Sequence, residues 1–542
     1  MERAGRLIEV DLQGLMPLID FSAIARHIFK ESMSVELYDG SFVYIEHISH
    51  QGPEISLYGR RLYRTKGLRL PHIPNCIPRN DNELVWAIEV DYDRSTDDLI
   101  RDKNGGPFSV DEVRHLRKIH FTNVPLTKHG QYRQPKGLVC RLKWTFRWRE
   151  NLTTRHHESH RLPENSVEYL RFEEADSEYR CSPVELREKW RGPRRTIPYG
   201  DAKLSYSQSS TSGLNDSTID LTTDGRTYSF GDAYCGAGGA SCGAQQAGLW
   251  IKWACDINSY AAQTYTLNFP HVAVWNSPFH DFMTNTDEFL RVDVCHCSPP
   301  CQTFSPAHTI DSSRDEDNYA CIFTGRNLLE RAHPRILTME ETSGLKEIPR
   351  NAEVLDRVLL DWLEIGYSVR WGLLEALHYG IPQTRRRLII FAAGPGETLP
   401  KFPEPTHGLP GSGLAPIKTI HDAISGIPED ADNHETVIEE DRWSTAHRAS
   451  YYPRQPAKTL TCNGGEGNWH PSGKRRFTCR EVACLQTFPI DFEFSGKGTR
   501  RQIGNAVPPT FARKFFESVT QSLRETDERE LAEKSARGRI WA

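Results

Sequence analysis

The segment TYSFGDAYCGAGGASCGAQQAGL (227–249) constrains the fold more than any other stretch of the chain. An apolar run, Thr227–Tyr234, breaks at Gly236, Gly238 and Gly239, and a helix is predicted from near Ser241. A second apolar run, Trp250–Cys255, ends in Asp256, 20 residues past Gly236. Glycine is needed where backbone approaches a ligand closely or φ turns positive. Strand, glycine turn and helix, repeated after residue 226, are the sequence form of an α/β sheet. The layout is the nucleotide-type fingerprint, with glycines under the ligand and an acid, Asp256, accepting hydrogen bonds from ribose hydroxyls. A tight turn without a ligand uses the same residues, and nothing here separates a nicotinamide from S-adenosylmethionine.

A third strand, Val292–Cys297, leads into SPPCQTFS (298–305). Pro299 and Pro300 end the strand and stiffen the turn, which leaves Cys301 at a strand's C-terminal end, where open α/β sheets place ligands. A thiolate there can act as a covalent nucleophile if a nearby charge or dipole lowers its pKa. A lone Cys is more often a buried structural residue; the Pro-Pro-Cys-Gln setting beside a glycine loop favours the nucleophile. Cys295, Cys297 and Cys301 lie close together, but no partner cluster with zinc-finger spacing occurs elsewhere, so no metal is expected.

Before the glycine turn the pattern is different. Short β-like runs occur at Ser34–Leu37, Ser41–His47, Ile55–Tyr58, Leu84–Val90 and Leu138–Trp144, and YDGSF (38–42) carries the Asp-Gly pair of a hairpin. No helical periodicity displaces an all-β reading of residues 1–199. Residues 200–225, rich in Ser, Thr, Asp and Gly, read as a linker, and the catalytic domain is expected over 226–542. Net charge is −5, yet residues 114–161 hold 12 Lys/Arg against Glu150 and Glu158, with Trp144, Phe146 and Trp148 among them. Such a segment suits phosphate contact, or else is a solvated face over core aromatics. The tail from about residue 524 is highly charged and is expected to be a surface helix or frayed end. No apolar run approaches the roughly 20 residues of a membrane span. The start lacks the basic and apolar regions of a secretory signal, and 13 Cys without a CxxC pair suggest reduced thiols inside the cell.

Four blocks, in order across about 280 residues, resemble the motifs of the DNA cytosine-5 methyltransferase family. They are DAYCGAGGASCGAQQAGL, SPPCQTFS, HYGIPQTRRRLIIFAA (378–393), and FTCREVACLQTFP with RQIGNAVPP (477–509). The resemblance implies a Rossmann-like, S-adenosylmethionine-dependent α/β domain with a small target-recognition subdomain, behind an N-terminal β-rich domain. It implies attack of Cys301 on C6 of a cytosine flipped out of DNA, a carboxylate on N3 from Glu340, and preorganised charge from Arg385 and Arg387. The cofactor residues it implies are Tyr234, Gly236, Gly238, Gly239, Asp256, Ile257, Asn276, Pro300, Asn505 and Val507, the chain end returning through QIGNAVPP (502–509) to complete the pocket. DNA contacts are expected from Gln302, Ser305 and Gln383, and from Asn463, Gly464, Gly465, Trp469 and Arg475 in the recognition insert, about 395–475. Those insert residues can equally form ordinary turns.

The family's Glu-Asn-Val triplet is here Glu340-Glu341-Thr342, within ILTMEETSGL. This form, with DAYCGAGG and the N-terminal extension, resembles the fungal RID-type branch tied to premeiotic silencing of repeats, which implies a nuclear protein acting in gene silencing. Unless Arg385 or Arg387 neutralises it, Glu341 is expected to oppose binding of anionic DNA and the developing anion, so that restoring Asn-Val should leave the enzyme at least as active. DGSFVYIEHISH, ISLYGRRLYRT and NELVWAIEVDYD resemble a BAH-type chromatin reader, with a histone or chromatin partner implied; the rival is a family-specific β-domain. Other rivals are a nicotinamide oxidoreductase, against which PPCQ and QIGNAVPP argue, an RNA-directed enzyme of the same fold, and a DNA-binding regulator that transfers no methyl.

Overall fold

The computed structural model describes residues 29–51, 54–66, 75–90, 106–126, 133–149, 162–192, 227–305, 315–437, 439, 450, 452–460 and 468–540. The expected linker, 200–225, lies outside them. The described residues form two compact units, one within Met1–Glu150, Arg161–Leu186 and Leu359–Arg370, the other within Arg187–Val358 and Trp371–Ala542.

The first unit is built on strands β1 (Ser34–Leu37), β2 (Phe42–Gln51), β3 (Glu54–Arg64), β4 (Glu83–Val90), β5 (Phe108–Ser109), β6 (Val113–Arg117), β7 (Ile119–Phe121), β8 (Leu138–Arg149) and β9 (Leu162–Tyr169). The sheet order is β9-β8-β4-β3-β2-β1-β6, with β5 on β3 and β7 on β8. All five expected runs are strands, each as long as expected or longer, and Gly40 takes φ +82° in the Asp-Gly turn between β1 and β2. The all-β reading is corrected by a helix at Pro183–Arg191. Only nine residues long, with a proline first, it leaves little periodicity to detect.

Two residues of the basic segment are structural, whereas Arg114, Lys118, Arg133 and Lys136 are exposed. Arg141 is buried and pairs with both oxygens of Glu83, at 3.0 and 2.8 Å, and buried Lys143 pairs with Glu174 at 2.9 Å. Trp144 and Phe146 are core residues. A guanidinium so committed has no donors free for phosphate, so phosphate contact is corrected at these positions.

In the second unit, β10 (Ser229–Ala233), β11 (Trp250–Cys255), β12 (Ala273–Trp275), β13 (Val294–Cys297) and β14 (Ile336–Thr342) pair in parallel, and β17 (Arg386–Ala393) runs antiparallel on β14. The order is β12-β11-β10-β13-β14-β17-β15, where β15 is Ser368–Glu375 and the two-residue β16 (Gln383–Thr384) lies outside this sheet. The order of succession reverses between β10 and β13 while the strands stay parallel, so the loops after those strands meet at a switch point, the usual ligand site of an open α/β sheet. The strands read as near-continuous apolar runs because helices cover both faces; Phe230, Val294, Ile336 and Ile389 are all buried.

The charged tail is not a frayed end. A helix runs from Pro509 to Ile540 and inserts Phe511, Phe515 and Phe516 into the core. Asp527 and Glu530 are also buried: Arg335 donates to Asp527 at 2.6 and 2.9 Å, and Arg187 pairs with Glu530. Among the described residues no helix is long and apolar enough to cross a membrane.

Candidate active site

The glycine turn begins one residue after β10. Tyr234 takes φ +60°, a region that costs energy for a side chain with a Cβ, and its ring stacks on Phe279 at 5.1 Å while its hydroxyl meets Thr324 Oγ1 at 3.1 Å. Gly236 (φ +53°) has open space where a Cβ would stand. At Gly239 a Cβ would lie 2.2 Å from the Val507 carbonyl oxygen, so the chain end is seated directly on the turn. The helix spans Gly239–Gln246, two residues before the expected start, because Gly238 at φ +93° opens it with no side-chain cap.

Asp256 lies at the end of β11, but its oxygens already accept backbone N–H groups, from Gly236 at 2.9 Å and Asn258 at 2.7 Å. The carboxylate therefore braces the turn, and burial raises its pKa. Beside it Ile257 is 70% exposed, unusual for an apolar side chain. Asn276 donates to the Asp256 carbonyl at 3.0 Å, and Asn505 is exposed.

Cys301 follows β13 through Ser298, whose hydroxyl meets His296 Nε2 at 2.6 Å; His296 Nδ1 in turn meets Thr338 Oγ1 at 2.7 Å. Burial lowers the imidazole to about 3, so it is a neutral strut under the nucleophile loop. Cys301 and Pro300 are partly exposed, Gln302 is exposed and Ser305 partly so. Across the site, the antiparallel β14–β17 register sets Thr342 opposite Arg387 and Glu340 opposite Ile389. Glu340 thereby pairs diagonally with Arg387 at 2.8 Å, and Arg385 reaches it at 3.8 Å. Arg385 also donates to the carbonyls of Gly504 and Ala506 at 3.4 Å, joining the arginine block to the chain end. Burial pushes the Cys301 thiol up to about 12, reinforced by Glu341 and then Glu340, while Arg387 and Arg385 oppose them. Glu340, Arg385 and Arg387 thus form one ion-pair cluster whose charges act on Cys301.

Three expected DNA contacts are corrected. Gln383 is fully buried, donating to the Leu485 carbonyl and to Gln486 Oε1 at 3.1 and 2.5 Å. Arg475 is buried and held by both oxygens of Glu481 at 2.7 and 2.8 Å; Trp469 is buried beside it, with its backbone bridged to Arg476. Asn463, Gly464 and Gly465 lie outside the described residues. One buried acid was passed over in the sequence: Asp232 accepts from Ser241 Oγ at 2.6 Å, and its apolar strand setting was the available signal. Glu341, weighed from the sequence as a charge close to the site, is fully buried.

An open parallel sheet with a glycine turn and a thiol at its switch point defines a nucleotide-binding, group-transfer α/β enzyme. Residues 228–449 and 416–521 match the family described as C-5 cytosine-specific DNA methylase. Among its relatives are the type II methyltransferase M.NgoFVII of Neisseria gonorrhoeae, 30% identical over 51% of this chain and 82% of the relative, and M.BbvI of Brevibacillus brevis, 28% identical over 54% and 91%. The DNA (cytosine-5)-methyltransferase PliMCI of Paracentrotus lividus is 33% identical over 32% of this chain and 12% of the relative. The chain belongs to the C-5 cytosine-specific DNA methylase family, enzymes whose methyl donor is S-adenosylmethionine. The residues present fit that cofactor: open space at Gly236 admits a close ligand, exposed Ile257 offers an apolar face to a flat base, and Asn276 and Asn505 supply exposed amides.

Proposed function

We propose that this chain methylates C5 of cytosine in duplex DNA through a covalent bond from Cys301 Sγ to C6 of a flipped base. The observation that carries this reading is the ion-pair cluster of Glu340 with Arg385 and Arg387, joined from two separate sequence blocks, whose charges act on Cys301 from a third. Bound against Gly236, Ile257 and Asn505, S-adenosylmethionine supplies an electrophilic methyl group. Cys301 adds to C6, and Glu340 holds N3 so that the displaced electron pair is accommodated in the ring. Arg387 and Arg385 fix Glu340 in place and supply preorganised positive charge as the ring becomes anionic. Exposed Gln302 and partly exposed Ser305 are placed to meet the DNA around the extruded nucleotide.

The Glu-Glu-Thr triplet supports placing the enzyme in the RID-type branch, acting in the nucleus on repeated DNA, with the N-terminal β unit serving as a BAH-like chromatin reader. The test is transfer of a tritiated methyl group from S-adenosylmethionine to duplex DNA and, in parallel, to tRNA. Label should enter DNA, and Cys301→Ala should abolish transfer while cofactor binding persists. Transfer by Cys301→Ala at the wild-type rate, or label confined to tRNA, overturns the reading.

A further inference from the structure

Glu341 occupies an unusual position for a carboxyl. Its residue is 0% exposed, Oε2 accepts only the neighbouring Thr342 N–H at 3.2 Å, and Oε1 is buried with no hydrogen-bond partner. The paired carboxylate of this cluster is Glu340, which takes both guanidinium contacts. An acid left buried with an open oxygen is costly unless a proton or a substrate completes it. Two guanidiniums and one paired carboxylate leave the pocket with one positive charge to balance. Glu341 and Cys301 are the remaining groups there that can carry the matching negative charge.

We propose that Glu341 is the internal acceptor of the Cys301 thiol proton during attack on the base. The inference rests on the covalent reading above. In the step, the S–H bond breaks and its proton passes to Glu341 Oε1. The sulfur pair forms the S–C6 bond, and the C5=C6 pair moves into the ring toward the N3 side held by Glu340. After methylation the C5 proton passes to a solvent water, the C5–H pair re-forms the C5=C6 bond, the S–C6 pair returns to sulfur, and sulfur recovers its proton from Glu341. In the addition step the negative charge moves from Glu341 to the ring, so the attack itself releases no proton to bulk water. Burial and the adjacent Glu340 raise Glu341 well above the usual carboxylate range, opposed by the Thr342 N–H and Arg387. The Glu341 charge also acts on Cys301 more strongly than that of Glu340, and on Cys297, the last residue of β13. This reverses the sequence expectation that Glu341 merely repels.

The experiment is single-turnover methylation of duplex DNA by the full chain. Glu341→Gln is isosteric and cannot accept the proton; it should slow transfer on the order of 10²-fold at neutral pH, the usual size of such a contribution, with DNA and cofactor affinities unchanged. A Glu341→Gln chain that binds cofactor and matches or exceeds the wild-type rate overturns the inference and restores simple repulsion. Should Gln prevent folding, the wild-type pH profile decides. Transfer through Glu341 levels off once that acid is ionised, whereas direct loss of the thiol proton to solvent climbs tenfold per pH unit toward the thiol's own range, and that climb overturns it. Wild-type chain that transfers no methyl, or transfers without Cys301, sinks the covalent reading and this inference together. Cys301-dependent transfer with an undiminished Glu341→Gln rate sinks the inference alone.

Discussion

Arg475 spends both terminal nitrogens on Glu481 and also donates to the Arg476 carbonyl, with both side chains of the pair less than a tenth exposed. Removing one partner of such a pair strands a buried charge, at about 3–5 kcal/mol. Arg475→Ala should therefore lower the urea midpoint strongly while the folded fraction binds DNA as before. Undiminished stability with weakened DNA binding would return Arg475 to the interface. Gln383 follows the same logic through Gln486 and Leu485. In the sequence both looked like loop residues near a ligand, because polarity is visible locally while the buried partner that consumes it lies six residues away in one case and 103 in the other. Glu340 escaped this ambiguity: its partner Arg387 belongs to a block recognisable by itself.

At the level of elements, strand β11 coincides with the apolar run Trp250–Cys255, since an interior parallel strand needs little beyond continuous hydrophobicity. The helix before it, Gly239–Gln246, was placed two residues late because its start depends on the backbone conformation of Gly238, which no side chain announces. Asp256, expected from the sequence to meet ribose hydroxyls, has a structural task that the sequence did not announce. By accepting from Gly236 and Asn258 it ties the glycine turn to the helix Ser259–Asn268, whose first turn Asn258 caps at 3.0 and 3.2 Å. Asp256→Ala should weaken S-adenosylmethionine binding by about 1–3 kcal/mol. It should also lower the melting temperature of the cofactor-free chain, since the brace acts before any ligand arrives. Calorimetry and melting together separate the cases: lost affinity with an unchanged melting temperature would mean the carboxylate serves the ligand alone.

Across the whole second unit, charge is handled by burying pairs, as in the Arg335 cluster with Glu397 and Asp527, where Arg335 meets Glu397 at 2.7 Å. That is why a tail with the composition of a solvated helix is anchored in the core. Asp232 is the exception that pH can expose. Its Oδ2 accepts from Ser241, but Oδ1 is buried without a partner, and burial pushes its pKa up to about 7, with the charge of Asp256 adding to the rise and Ser241 opposing it. In the unfolded chain an Asp titrates near 3.9, so the native state holds this proton more tightly. The resulting stability is complete below about pH 4 and is lost as pH rises through about 7, on the order of 3–4 kcal/mol for a shift of roughly three units. Glu375 and Glu481, lowered by their partners His378, Arg386 and Arg475, have the opposite sign, and their stabilisation is lost only as pH falls below the ordinary carboxylate range. The two windows do not overlap. Glu341, raised by its own burial, adds a slope of the same sign as that of Asp232 and leaves it in place when Asp232 is changed. Asp232→Asn should thus flatten, without abolishing, the decline in urea midpoint between pH 5 and 8, and make the chain more stable than wild type at pH 8. A variant whose midpoint falls with pH as steeply as that of the wild type would show that Asp232 is ionised in the native state throughout, with Oδ1 satisfied by a donor such as bound water.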